Sequence, residues 1–67
     1  MNENQKTVLE YLKTRYLRVP FLSIWYLCED RDSMPRKVVK ARDHLTEVEE
    51  FEVLAEFSEW GLKHERN

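Results

Sequence analysis

Apolar residues recur along this chain at helical spacing. Val8, Leu9, Leu12 and Tyr16 fall within about a third of a helical circumference, and Lys6, Glu10 and Lys13 lie opposite. Asn2 is a favourable N-cap, and Gln5 stands where the reciprocal partner of a capping box belongs. A first helix therefore starts near Asn2 or Glu3. Pro20 disfavours helical geometry at Val19, so this helix ends by about Leu17.

Pro20 in turn suits the first turn of a second helix. The stretch from Phe21 to Cys28 is apolar nearly all round, and periodicity alone does not separate a buried helix from a buried strand. Its aromatic and β-branched content leans towards strand. With no obvious second strand to pair with it, the expectation is a helix. Glu29 to Ser33 reads as a loop, with Ser33 capping a third helix and Pro35 in its first turn. On that helix Val38, Ala41 and Leu45 share one side, with Val39 nearby. Arg36, Lys37, Lys40 and His44 share the other, and Arg42 falls inside the apolar arc.

Thr46 and Glu49 read as a second capping box, so a fourth helix is expected to begin there after a break near Leu45, the alternative being one long helix that runs through both. Its early glutamates and late Lys63 and Arg66 suit the two ends of the helix dipole. This helix carries two apolar stripes. Val48, Phe51, Ala55, Ser58 and Leu62 form one; Val53, Phe57, Trp60 and His64 form the other. A surface helix needs a stripe of about 100°, and this one shows about twice that. Either both stripes are buried in the bundle, or one packs inward and Val53, Phe57 and Trp60 meet another chain.

The expected fold is all-α: one compact domain over residues 1–67, a bundle of three to four helices. The second helix is expected at its centre, with the others packed round it through Val8, Leu12, Tyr16, Val38, Leu45, Phe51 and Leu62. Composition agrees. One glycine and two prolines are too few for the turns of an all-β fold. A 67-residue chain buries only about 60% of the surface that it exposes unfolded. The single Cys28 forms no internal disulfide, so stability rests on helix packing and association. No apolar run is long enough for a membrane span and the N-terminus lacks a signal peptide, which points to the cytoplasm.

The net charge of −2 is unevenly spread. Residues 31–44 carry five bases (Arg31, Arg36, Lys37, Lys40, Arg42) against Asp32 and Asp43, a local +3; residues 45–67 carry seven glutamates against Lys63 and Arg66, a local −5. The basic face Arg36, Lys37 and Lys40 follows a helix and a short loop, as in a helix-turn-helix, and a cationic surface suits phosphates. Against this, the chain is acidic and its basic face has no Asn, Gln or Ser to read bases.

Nothing resembles a catalytic constellation. Cys28 lies in an apolar segment, where a buried thiol is inert. His44 and His64 are too isolated for a metal site, and Gly61 alone makes no phosphate loop. The expectation is a non-enzyme without cofactor, metal or small-molecule substrate, which binds a protein partner or forms a homodimer through Val53, Phe57, Trp60 and His64. The alternative is a nucleic-acid binder using Arg36, Lys37 and Lys40.

Two segments, Asn2–Lys13 and Glu50–Lys63, resemble small uncharacterised proteins encoded by phages and prophages of Gram-positive bacteria. The resemblance covers about 26 of 67 residues and leaves 14–49 without support. It implies a bacterial cytoplasmic setting and an accessory gene product that binds a phage or host protein. It carries no site residues.

Overall fold

The computed structural model describes residues 1–14, 19–29 and 34–66, and these form four helices and no strand. They are α1 (Glu3–Thr14), α2 (Pro20–Glu29), α3 (Arg36–Asp43) and α4 (Glu47–Arg66). The ambiguous apolar stretch is helical. The Val19 carbonyl accepts from the Leu22 and Ser23 amides, so Pro20 opens α2 where its missing N–H costs nothing. The α3–α4 break falls at residues 44–46. No helix among the described residues is long and apolar enough to cross a membrane.

The bundle is centred on α1, which corrects the expected central place of α2. Among the described residues, helix backbones come within 8 Å only where α1 is one of the pair. Val8, Leu9 and Leu12 of α1 meet Ala41 of α3 and Val53 and Phe57 of α4; Ile24, Leu27, Leu45 and Trp60 pack against this cluster from its edges. Tyr11, Met34 and Val38 form a second cluster between α1 and α3. Ser23 is the only buried residue of α2. Tyr16, Leu17 and Ser33 lie outside the described residues. Pro35 takes the N-cap position of α3, one place before the expected first turn, and its carbonyl accepts from the Val38 and Val39 amides.

Both capping boxes are present, and they are joined. Gln5 N–H donates to Asn2 Oδ1 (2.9 Å), and Asn2 N–H donates to Gln5 Oε1 (2.8 Å). Glu49 N–H donates to Thr46 Oγ1 (3.2 Å), and Thr46 N–H donates to Glu49 Oε1 (2.8 Å). Asn2 Nδ2 then donates to Glu49 Oε2 (2.6 Å), while Gln5 Nε2 donates to the Glu49 carbonyl (3.2 Å) and to Glu52 Oε1 (2.7 Å). Gln5 is buried, so these bonds satisfy an amide that would be costly there unpaired.

This clasp orients α4. Glu49, Val53 and Phe57 are spaced by four and lie on one helix face. Pinning Glu49 to the start of α1 turns Val53 and Phe57 into the core, where they are 2% and 4% exposed. Val48, Phe51 and Leu62 face outward, the reverse of the core expected for Phe51 and Leu62.

Phe57→Ala should cost about 3–5 kcal/mol, most of the stability of a chain this size, whereas Phe51→Ala in dilute protein should stay within about 0.5 kcal/mol. Chemical denaturation of the two variants checks this. Glu49 provides a pH test. The Thr46 amide, helped by the Thr46 hydroxyl and Asn2, stabilises its charged form and holds its pKa below the ordinary 4.5. A depressed folded-state pKa adds stability above the ordinary carboxylate range, and that stability is lost as pH falls through about 4.5 and below. The advantage of the natural chain over Glu49→Gln in thermal melts should therefore shrink steadily from about pH 6 to pH 3.

Candidate functional site

Helices α2 and α4, whose backbones do not come within 8 Å of each other, frame the main surface feature. Pro20, Phe21 and Ile24 of α2 face Leu54, Phe57, Ser58, Gly61 and Leu62 of α4 across an open groove of about 360 Å³. A smaller pocket of about 90 Å³ continues it, lined in part by Leu27 and Cys28 on one side and Glu50 and Val53 on the other, with Val8 and Leu12 of α1 also lining it. The start of α2 thus lies beside the end of α4, and the two helices run antiparallel. Residues 20–28 of α2 carry no charge.

Large apolar side chains stand exposed along both lips. Phe21 is 86% exposed, Trp25 54%, Phe51 64%, Leu62 57% and Val48 67%. The α4 contribution is the stripe Val48, Phe51, Ala55, Ser58 and Leu62, identified from spacing but expected to point inward. Trp25 packs edge-on against Tyr26, with ring centroids 5.3 Å apart. Cys28 is exposed, not buried as expected, because α2 lies at the periphery.

The residues expected to bind a partner occupy a different place. Val53 and Phe57 are core. Trp60 is half-buried and stacks between Phe57 (5.9 Å) and the exposed His64 (5.1 Å), with Lys13 Nζ 5.7 Å from its ring centroid. This ladder along α4 is an internal seam closed by the cation of α1. It leaves only Trp60 and His64 of that set at the surface. Sequence reasoning missed Phe21 and Trp25, because an uncharged helix reads as a buried one.

Arg36, Lys37 and Lys40 are exposed on α3. Among the described residues no ion pair joins them to the glutamates of α4. Lys37 borders a shallow cleft whose α1 side includes Glu3 and Glu10.

Comparison of the chain with known protein families, curated proteins and solved structures finds no match. Among the described residues no group of three or more His, Cys, Asp or Glu side chains is placed to hold a metal ion.

Arg42 explains its own position in the apolar arc. Its Nη1 donates to the Leu27 carbonyl (2.7 Å) in the last turn of α2, and its Nε and Nη2 donate to Asp43 Oδ1 at 3.3 and 3.1 Å. The aliphatic stem stays in the core seam. His44 similarly caps α3, with Nδ1 2.7 Å from the Lys40 carbonyl. Arg42→Met keeps the stem and removes the tie, and should cost about 1–3 kcal/mol in denaturant midpoint experiments.

Proposed function

We propose that this protein is a protein-interaction module, of the accessory kind encoded by phages and prophages and acting in the bacterial cytoplasm, which binds through the apolar face formed by α2 and the outward stripe of α4. The observation that carries this reading is an apolar groove lined by the exposed Phe21 and Leu62, with Trp25 and Phe51 also exposed on the same two helices. Monomeric proteins rarely expose contiguous apolar patches beyond a few hundred Å², and larger ones mark interaction sites. Aromatic side chains in such a face are typical anchors of binding energy. Neighbouring acids (Glu29, Glu47, Glu50) keep the free surface hydrated.

A second reading rests on Arg36, Lys37 and Lys40, which leave α3 with an exposed cationic edge suited to phosphates. The brevity of α3, the acidic chain and the absence of base-reading side chains on that edge favour the first reading.

A photo-crosslinking amino acid separates the two. Placed at Phe21 or Phe51 in expressing cells, it should yield discrete protein adducts, to this chain or another, and placed at Lys37 it should yield none. Adducts confined to Lys37, or to nucleic acid, would overturn the first reading.

A further inference from the structure

Building on that reading, we infer that the occupant of the α2/α4 face is a second copy of this chain, with α2 of each copy laid antiparallel on α4 of the other about a two-fold axis running along the groove. Three observations support a self-complementary pairing.

The first is shape. The lip on α2 presents the large Phe21 and Trp25, while α4 presents the small Ala55 and Ser58 of its outward stripe with Gly61 beside them on the groove side. Nothing lies within 4 Å of where a Cβ on Gly61 would project. Phe21 lies level with Gly61 and Leu62 within one copy, so a rotation about the groove axis sets it against the same residues of the other copy. Trp25, one turn on, then meets Ser58. Each copy is knob and hole at once, as an isologous interface requires.

The second is charge. Pairing α4 with α4 would set Glu52, Glu56 and Glu59 of the two copies side by side. Pairing α2 with α4 brings an uncharged helix onto the stripe instead and keeps like charges apart. Antiparallel helices also place opposite dipole ends together.

The third is area. An aromatic side chain buries about 150–250 Å² when fully covered. At the exposures given above, Phe21, Trp25, Phe51 and Leu62 offer roughly 500 Å² per copy and roughly 1,000 Å² per pair, the lower bound of a specific interface. This burial supplements a small core in a chain of 67 residues.

Sedimentation equilibrium of the full chain over a hundredfold concentration range, with far-UV circular dichroism as the fold control, tests the pairing. The natural chain should move from 8.2 kDa towards twice that mass. Phe21→Glu should remain monomeric with unchanged helicity. Gly61→Leu is the sharper variant. Its side chain enters open space in the single copy and raises helix propensity, so the fold is kept or strengthened, yet it fills the hole and should weaken association at least tenfold. Lys37→Glu should associate as the natural chain does. A chain that stays monomeric throughout, or a Gly61→Leu variant that associates normally, would overturn the pairing. Protein adducts at Phe21 made only to other proteins would overturn it too while leaving the interaction reading intact.

Discussion

Val8, Leu9 and Leu12 occupy one side of α1, and every other helix is placed by contact with α1. A chain of this length can surround only one helix, because burial scales with volume and the rest of the chain must form the wall. Ala41 from α3 and Val53 and Phe57 from α4 complete that wall. The clasp between the two capping boxes fixes it, since Asn2 and Gln5 hold Glu49 and thereby set the rotation of α4 about its own axis. The polar clasp and the apolar seam thus act on the same helix face, one at its start and one along its length.

The position of α2 follows from what is left. With α1 enclosed by α3 and α4, α2 reaches the core only through Ser23, Ile24 and Leu27, and Arg42 ties its last turn to α3. Phe21 and Trp25 are left exposed, with Phe21 across the groove from Leu62 of α4. The surface proposed to bind is therefore a consequence of packing in a small domain. The uncharged α2 and the amphipathic α4 flank α1 without their backbones meeting, and the groove between them remains open.

Much of this was legible beforehand where the signal is local. The two capping boxes, the proline at the start of α2, the break at Leu45 and the inward side of α1 each depend on residues within a turn of one another. The rotation of α4 was not legible in that way. Both of its stripes have helical spacing and similar apolar content, and the choice between them depends on a hydrogen bond from Gln5 across 44 positions of sequence. A clue was present nonetheless, in that Glu49 shares a face with Val53 and Phe57. The central place expected of α2 failed for a related reason. Absence of charge distinguishes a helix that avoids water from one that is wet, but not burial within a chain from burial between chains. Arg42 looked anomalous until the last turn of α2, with the Leu27 carbonyl that it binds, stood opposite it.

Hydroxyl-radical footprinting read by mass spectrometry, performed on dilute protein, addresses the orientation of α4 most directly. Phe21, Trp25 and Phe51 should be modified readily, while Phe57 is protected to the degree of Leu12. Protection of Phe51 with ready modification of Phe57 would mean that α4 presents its other stripe to the core, and the clasp, the groove and the proposed binding face would fall together.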